Sequence, residues 1–277
     1  MLPQFFPPFA DAVSLPESPA SSSLGKALEL LDLFSLTSPL VRIDDVIARF
    51  GFPRSTAYRY LKELCDAGLL APASGGAYSL GPRVIEFERL LELTDPLYRA
   101  GQQVLQEIGD PGAVYLLHNL YRDKVLCIYK QGPDVIEYEG RRITVRRARG
   151  LPFPLFQGAG SLALLPWLSP HRIRQTYLRN AAEIASSGLG DDWEAFRRVL
   201  AAIRRKGYST SQGTITPFLG GIAVPVLLPE DRKLVGSLAW TVAAGAMTEE
   251  RVESCAEHLT RAAQAIAREY VKVAADM

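Results

Sequence analysis

One stretch, residues 42–70, constrains the fold of this chain more than any other. Its first apolar positions recur at intervals of three and four, as on one face of a helix: Ile43, Val46, Ile47 and Phe50. Gly51 ends this helix. A second helix is predicted over residues 53–67, because Pro53 suits a first helical turn and Gly68 suits a left-handed C-terminal cap. The stretch therefore predicts two short helices joined by a tight turn.

The second helix of this pair has an apolar side and a cationic side. The apolar side is predicted to hold Ala57, Tyr60, Leu61 and Leu64. The opposite side is predicted to hold Ser55, Arg59 and Lys62, with Tyr58 at its margin. Arginine and lysine donate to phosphates and to the major-groove edge of guanine, so this side suits DNA contact. A charged face that is merely solvated is the alternative, and the segment that follows favours DNA contact.

A β-hairpin is predicted immediately after this helix. Residues 69–71 and 77–80 flank a glycine-rich tip. Helix, turn, helix and hairpin in this order make a winged helix-turn-helix, so we predict DNA contact by the second helix and the hairpin tip. The predicted contact residues are Arg54, Ser55, Thr56, Tyr58, Arg59, Lys62, Ser74, Gly75 and Gly76. Since the formal net charge is only +1, affinity for a polyanion must come from this local pattern.

Composition divides the chain into four predicted segments. Residues 1–20 carry five prolines and are predicted to be a flexible N-terminal arm. Residues 21–81 form the winged helix-turn-helix domain, which begins with a further helix over residues 24–35. Residues 82–95 form a linker helix whose apolar surface suits pairing with a second copy. Residues 96–277 form an effector-binding domain.

The second domain is predicted to be α+β. Its helices are expected over residues 97–108, 159–168, 192–206 and 248–273. Its strands are expected over residues 113–120, 124–130, 136–138, 143–147, 222–228 and 234–242. Short connections indicate hairpins, so the sheet should be antiparallel, flanked by helices and able to enclose a small molecule. The predicted fold class is thus mixed α/β in two domains.

Other features argue against several classes of protein. The three cysteines, Cys65, Cys127 and Cys255, are odd in number and far apart, which favours reduced thiols in the cytoplasm. No cation precedes Lys26 and no apolar run approaches a membrane span, so neither a secretory signal nor an anchor is expected. The histidines are isolated from one another, and no serine lies in a nucleophile elbow. We therefore expect no metal, no cofactor and no enzymatic activity.

The letters GAGSLA, from Gly158 to Ala163, match the dinucleotide-binding fingerprint. The segment before them contains Pro152 and Pro154, which are unsuited to the buried parallel strand that this motif requires, so we reject that interpretation. A helix N-terminus that holds a small anionic ligand through backbone N–H groups is the functional alternative. A tight turn into a helix is the structural one.

Five arginines occur within nine residues: Arg141, Arg142, Arg146, Arg147 and Arg149. Apolar residues alternate with part of this run, as in a strand with two different faces. An edge strand protected by charge explains the pattern without a function. An oligomer contact and attraction for an anionic effector are the other interpretations.

Several motifs, taken in order, resemble those of the IclR-type bacterial transcription regulators. They are LGKALELL at 24–31, FPRSTAYRYL at 52–61, YSLG at 78–81, the stretch 150–163, IRRKGY at 203–208 and GIAVP at 221–225. The resemblance covers nearly the whole chain after the N-terminal arm. It implies a winged-helix DNA-binding domain, a linker helix and a GAF-like effector domain, working as a dimer or tetramer on a pseudo-palindromic double-stranded operator.

The resemblance also implies an effector pocket. Its lining would comprise Gly158, Ala159, Gly160, Ser211, Gly221, Ala239 and Thr241. The chain has Phe156 where the family commonly has a histidine, and no acid over residues 211–214, so side-chain polarity is reduced. Four aromatic residues are expected in or beside the lining: Phe153, Phe156, Phe218 and Trp240. We therefore expect a small organic acid with an apolar or aromatic body as effector.

The preferred hypothesis is a DNA-binding transcription regulator whose operator binding is controlled by such an acid. An enzyme with an accessory helix-turn-helix is the first alternative. A constitutive DNA-binding or protein-interaction module without a ligand is the second.

Overall fold

The computed structural model describes residues 22–108, 114–145, 149–214 and 216–277. Contacts divide the chain into two compact units that part between Leu91 and Glu92. The expectations for the N-terminal arm and for Arg146 and Arg147 lie outside the described residues. Within the described residues, no helix has both the length and the apolar character needed to cross a bilayer.

The first unit is a winged helix-turn-helix. Helices α1 (Ser23–Glu29), α2 (Ile43–Phe50) and α3 (Arg54–Asp66) lie against a small antiparallel sheet. Its strands β1 (Val41–Arg42), β2 (Leu70–Ala73) and β3 (Ala77–Leu80) occur in the order β1-β3-β2. Residues 30–33 continue α1 as a single 3₁₀ turn. The predicted helix pair and hairpin are confirmed.

Local sequence explains the bounds of α2 and α3. The backbone N–H of Arg42 donates to the Asp45 carboxylate over 2.7 Å, which caps α2, and Gly51 ends this helix with φ +67°. Pro53 precedes the first residue of α3, where its missing N–H is not needed. The buried residues of α3 are those of the predicted apolar side: Ala57, Tyr60, Leu61 and Leu64.

Helix α4 (Arg83–Thr94) follows the hairpin and corresponds to the predicted linker helix. Each of its residues is at least partly exposed to solvent. Its large apolar side chains are among the most exposed of the chain: Ile85, Phe87, Leu90, Leu91 and Leu93. The apolar surface that the sequence predicts is therefore present.

The second unit is built on a six-stranded antiparallel sheet in the order β8-β5-β4-β11-β10-β9. These strands are β4 (Val114–Tyr121), β5 (Lys124–Gln131), β8 (Pro152–Pro154), β9 (Ser209–Gln212), β10 (Leu219–Leu227) and β11 (Leu234–Ala243). Strands β6 (Val135–Tyr138) and β7 (Arg141–Thr144) pair separately as a hairpin. The helices are α5 (Pro96–Ile108), α6 (Gly158–Leu164), α7 (Pro170–Ser186), α8 (Trp193–Lys206) and α9 (Glu249–Ala275).

The two faces of this sheet carry different helices. Alternate strand residues such as Leu117 and Leu238 pack with α5 and α9 in one core. Residues of the other parity, such as Leu116 and Ala239, pack with α6. A third core around Phe196 holds parts of α6, α7 and α8 together. The predicted α+β arrangement is confirmed, and α6 lies on the face opposite α9.

The sequence predictions for the second unit did not include α7, β8 or β9. Helix α7 was not predicted, although Ser169 caps it by accepting from the Arg172 N–H and Pro170 stands at its first turn. Strand β8 was not predicted either; it is an edge strand, where proline is tolerated. Because β8 pairs antiparallel with β5, the segment before α6 is not the parallel strand of a dinucleotide fold.

The arginine-rich run does not form an edge strand of the main sheet. Arg141 and Arg142 belong to β7, which pairs with β6 in the separate hairpin. The predicted strand over residues 143–147 instead ends at Thr144. Each strand of a two-stranded hairpin has an unpaired edge, so Arg141 and Arg142 lie on a charged edge strand of this hairpin.

Candidate functional site

The candidate DNA-contacting residues lie on the exposed side of α3 and at the hairpin tip. On α3 the exposed ones are Arg54, Ser55, Tyr58, Arg59 and Lys62, and Thr56 is half-buried. At the tip, Ser74, Gly75 and Gly76 are exposed. Gly75 and Gly76 have φ of +68° and +72°, a conformation that favours glycine. The structure thus brings the six helical residues onto one helix and the other three onto one turn.

The three cations on α3 differ in their partners. Arg54 donates to the Asp44 carboxylate over 3.0 Å, and a hydrogen bond with Tyr58, followed by the charge of Asp44, raises the pKa of Arg54. Lys62 donates to Asp66 over 2.6 Å, which raises the pKa of Lys62.

The Arg59 guanidinium has a different environment. It lies over the Tyr60 ring, 5.2 Å from its centroid, and has no carboxylate partner among the described residues. It can therefore turn to an external anion without breaking an ion pair. Of the three cations on α3, Arg59 is the one whose charge is uncompensated by a direct contact.

In the second unit a small cavity lies on the α6 face of the sheet, with a volume of about 40 Å³. Its lining includes six of the seven residues predicted for the effector pocket: Ala159, Gly160, Ser211, Gly221, Ala239 and Thr241. Gly158, the seventh, is the first residue of α6 and is not part of the lining. Elements far apart in sequence, α6, β9, β10 and β11, thus meet around one cavity.

Ser211 accepts a hydrogen bond from one of the N-terminal amides of α6. The Ala159 N–H donates to the Ser211 hydroxyl oxygen over 3.0 Å, so this amide is not bare as the sequence suggested. Nearby, the Ser209 hydroxyl donates to the Ala159 carbonyl over 2.7 Å and fixes the helix to β9. The hydroxyl hydrogen of Ser211 remains available, and the amide that donates to its oxygen makes it a better donor.

Glycines create the space on both sides of this hydroxyl. A Cβ at Gly221 would lie 3.4 Å from both the Ala159 Cβ and the Ser211 Oγ, so a methyl group there would occupy the cavity while still fitting. Gly160 is required for another reason. A Cβ at Gly160 would lie 2.6 Å from the imidazole of His118, which is fully buried beneath α6.

The four aromatic residues expected in or beside the lining are absent from it. Phe156 packs in the core shared with α7 and α8. Trp240 packs on the α9 face of the sheet, because its parity is opposite to that of Thr241. Phe218 is 57% exposed beneath the Arg141 guanidinium, and Phe153 is buried at β8. None of the four therefore supplies a wall of this cavity.

Five lining residues were not identified from the sequence: Val145, Thr214, Thr216, Leu219 and Gly220. Leu219 could have been found, because it lies two residues before Gly221 and has the same strand parity. Thr214 and Thr216 lie in the connection between β9 and β10, where no periodicity marks them. Among the residues that the structure describes, the lining contains hydroxyls, small residues and aliphatic groups and no charged side chain.

A winged helix-turn-helix with an exposed cationic helix, followed by a further helix and an α+β domain with a small cavity, defines a class of two-domain transcription regulators. Residues 23–73 match the IclR helix-turn-helix domain, and residues 112–268 match the bacterial transcriptional regulator IclR C-terminal domain. The chain belongs to the IclR family and is a DNA-binding transcription regulator.

Relatives along the full length agree with this assignment. The chain is 26% identical over 249 residues to the HTH-type transcriptional regulator KipR of Bacillus subtilis, covering 88% of this chain and 94% of KipR. It is 22% identical to the HTH-type transcriptional regulator XynR of Escherichia coli, covering 90% of this chain and 97% of XynR.

Solved structures show the same fold. An IclR transcriptional regulator from Alicyclobacillus acidocaldarius superposes with a TM-score of 0.72 at 24% identity, covering 90% of this chain and 98% of that one. An IclR homolog from Microbacterium hydrocarbonoxydans, solved in complex with 4-hydroxybenzoate, has a TM-score of 0.66 at 22% identity, covering 91% and 100%.

Proposed function

We propose that a small organic acid with an apolar or aromatic body binds in the cavity beside α6 and controls operator binding by this regulator. The observation that carries the proposal is that hydroxyl groups and the first turn of α6 line the same cavity, and that no described lining residue is charged. A carboxylate is costly to bury unless donors meet it, and these groups are donors.

Three groups are proposed to hold the carboxylate. The Ser211 hydroxyl, whose oxygen accepts from the Ala159 N–H, points its free hydrogen to the ligand. The Thr241 hydroxyl, on a residue only 9% exposed, supplies a second donor. The backbone N–H of Gly160 supplies a third, favoured by the helix dipole. Val145, Leu219 and Ala239 then contact the apolar body.

The size of the cavity decides how such a ligand enters. Benzene occupies a core cavity of about 150 Å³, whereas this cavity measures about 40 Å³. An aromatic acid therefore requires the walls to move apart on binding. Thr214 and Thr216 line the cavity from the connection between β9 and β10, and we propose that these two residues move apart from α6. The IclR homolog that holds 4-hydroxybenzoate supports an aromatic acid as the first compound to test.

DNA contact is proposed for Arg54, Ser55, Thr56, Tyr58, Arg59 and Lys62, with Ser74, Gly75 and Gly76 touching an adjacent groove or the backbone. Exposure of all but the half-buried Thr56 supports this assignment. The exposed apolar side chains of α4 support a homo-oligomer, dimer or tetramer, in which α4 pairs with its copy. A two-fold dimer would read a pseudo-palindrome with half-sites about one helical turn apart. Light scattering that finds only monomer at micromolar concentration would contradict this pairing.

A thermal-shift screen of aliphatic and aromatic acids, beginning with 4-hydroxybenzoate, tests the ligand class. A compound that binds only the folded state raises apparent stability by RT ln(1 + [L]/Kd). Each compound that stabilises the protein is then added to a DNA-binding measurement. Stabilisation by short, highly polar acids alone would contradict the apolar body, and turnover of an acid by the protein would favour the enzyme alternative.

Gly221→Ala tests the location. The added methyl group fits against Ala159 and Ser211 and occupies the cavity, so the fold should persist while the thermal shift by the acid is lost. Thr210→Val is the matched control, since Thr210 is exposed in the same sheet and does not line the cavity. An unchanged thermal shift in Gly221→Ala would place the acid elsewhere.

A further inference from the structure

We propose that edge strand β9 binds a short peptide with free termini, which adds to the six-stranded sheet as an antiparallel strand. The site is a groove on the α9 face of the sheet, with a volume of about 540 Å³. Ligand sites usually measure about 300–1,000 Å³. Of the described lining residues, only Ser211 is shared with the cavity beside α6. The proposal goes beyond the proposed function and does not depend on the binding of an acid.

The two edges of the main sheet differ in their protection against a further strand. Strand β8, at one edge, carries Pro152 and Pro154, which have no N–H to donate to another strand. Strand β9, at the other edge, has the uncharged sequence STSQ without proline. Within the described residues, β9 pairs with β10 alone. The β9 edge is therefore the one that can accept another strand.

The register of β9 indicates which of its backbone groups face this edge. In an antiparallel ladder, residues bonded to the neighbouring strand alternate with residues whose N–H and C=O groups point away from it. The Gly213 N–H donates to the Leu219 carbonyl over 2.8 Å, so Ser211 is the next residue bonded to β10. The N–H and C=O groups of Thr210 and Gln212 therefore point to the open edge, and both residues line the groove.

The groove also contains three charged side chains. Lys206 precedes β9, and its ammonium lies 4.3 Å from the centroid of the Tyr208 ring. Glu249 and Glu253 line the groove from α9. None of these three charges has an ion-pair partner among the described residues. Each is therefore able to meet a charge on a ligand without breaking an ion pair.

The cation and the carboxylates lie at opposite ends of β9. Gln212, the last residue of β9, pairs with Gly220, and a Cβ at Gly220 would collide with the Met247 sulfur. Met247 precedes Glu249, the first residue of α9, by two residues. The carboxylates therefore lie beside the end of β9, whereas Lys206 lies beside its start.

This distribution of charge indicates the ligand and its direction. A strand antiparallel to β9 begins beside the end of β9 and ends beside its start. Its N-terminal ammonium then meets Glu249 and Glu253, and its C-terminal carboxylate meets Lys206. The four residues of β9 span about 13 Å at about 3.3 Å per residue. A peptide of about four residues therefore reaches both ends of the groove.

The remaining contacts fit the same ligand. Main-chain hydrogen bonds to Thr210 and Gln212 supply affinity, as in other cases of strand addition. Met247 and Val252 line the groove and offer apolar contact to the side chains of the peptide. The strand of a second copy is internal to its chain and brings no terminal charges. A free peptide is therefore the occupant that the charges favour.

N-methylated peptides test whether the ligand adds as a strand. The probe is Thr-Val-Thr-Val with free termini, compared by titration calorimetry on the full-length protein with the same peptide N-methylated at its second or at its third residue. Adjacent residues of a strand direct their N–H groups to opposite sides, so only one of the two methyl groups blocks pairing with β9. We expect that peptide to bind about tenfold more weakly than the other. Equal affinities, or no binding of the unmethylated peptide, would overturn the proposal.

Capped peptides test the two ends of the groove. Lys206→Met should weaken binding of the free peptide about 1.5- to 5-fold and leave binding of its C-terminal amide unchanged. Glu249→Gln with Glu253→Gln should weaken the free peptide similarly and leave its N-acetyl form unchanged. Arg205→Met and Glu250→Gln, at exposed charges outside the groove, are the matched controls. Equal losses with free and capped peptides would indicate a general charge effect and overturn the proposed site.

Thr210→Pro tests a second copy of the protein as the occupant. Proline removes the N–H that faces the open edge, and an edge strand tolerates it. We expect Thr210→Pro to abolish peptide binding and to leave the mass measured by light scattering unchanged. A lower mass in Thr210→Pro than in the wild type at the same concentration would show that a second copy covers β9, and would overturn the peptide proposal.

Discussion

Helices α3 and α6 each contribute to one candidate site, but α3 does so with an exposed face and α6 with buried residues. Helix α3 buries one side and exposes the other, so its candidate contacts all lie within one helix and largely face solvent. Every residue of α6 is buried, and its cavity is completed by strands more than 40 residues further along the chain. A site on one helix face can be predicted from local periodicity, whereas a cavity between elements depends on which distant elements pack together.

This difference explains how much the sequence could predict. A period of 3.6 locates α2 and α3, because each has one apolar face against a core. Strands β10 and β11 pack on both faces, so continuous apolar runs locate them. Helix α7 was missed because only Thr176 and Ile184 are buried in its 17 residues. Its signal was the Ser169-Pro170 pair, which marks a helix start without periodicity.

The candidate cavity shows the same limit. Ser211, Gly221, Ala239 and Thr241 were identified through resemblance, and the structure brings them together. The aromatic residues were misplaced because strand parity, and not proximity in sequence, decides which face a side chain occupies. Trp240 is adjacent to Thr241 and yet packs with α9. Predicting this required the register of β11 against β4 and β10, which only long-range pairing determines.

The largest expected effect is a loss of stability in the first unit alone, caused by a substitution in its core. Leu61→Ala removes a fully buried side chain from the small core of the first unit and should cost about 2–5 kcal/mol of unfolding free energy. Small domains have little stability in reserve, so DNA binding should be lost while stabilisation by a bound acid persists. Calorimetry and DNA binding measure the two outcomes. Leu36→Ala, at a leucine 68% exposed in the same unit, is the control. Simultaneous loss of acid binding would show that the units do not fold independently.

Arg59→Ala tests the candidate DNA-contacting face of α3, and its expected effect on DNA binding is the second largest. Because Arg59 has no carboxylate partner among the described residues, its loss should weaken DNA binding by about 1–3 kcal/mol or reduce the salt slope by about one unit. Measurement of operator affinity at several salt concentrations distinguishes a base contact from a phosphate contact. Arg198→Ala in α8 removes the same charge from the other unit and should leave both quantities nearly unchanged. Equal effects of the two substitutions would indicate that DNA binding responds to the net charge of the protein and not to a direct contact by Arg59.

Thr241→Val tests the cavity beside α6, and its expected effect on acid binding is smaller. Valine keeps the shape of threonine but removes the hydroxyl proposed to meet the carboxylate, so acid binding should weaken by about 0.5–1.5 kcal/mol. Titration calorimetry with the acid found in the screen measures this loss. Thr210→Val, outside the cavity, should leave the affinity unchanged. Unchanged affinity in Thr241→Val as well would remove Thr241 from the proposed site.

The smallest expected effect concerns the ion pairs of α3 and has the opposite sign. Lys62 donates to Asp66 in a pair whose side chains are 76% and 64% exposed, so the lysine must leave a partner before it meets a phosphate. Asp66→Asn removes that competition and also a negative charge near the DNA. DNA affinity should therefore rise slightly, by less than Arg59→Ala lowers it, and the gain should shrink as salt is added, because salt screens exposed charges.

Glu63→Gln, which removes the same charge from the neighbouring exposed acid on α3, is the control for the general charge effect. A larger gain in Asp66→Asn than in Glu63→Gln isolates the release of Lys62. Equal gains would show that only net charge matters at this position, and that Lys62 gives up nothing when it binds DNA.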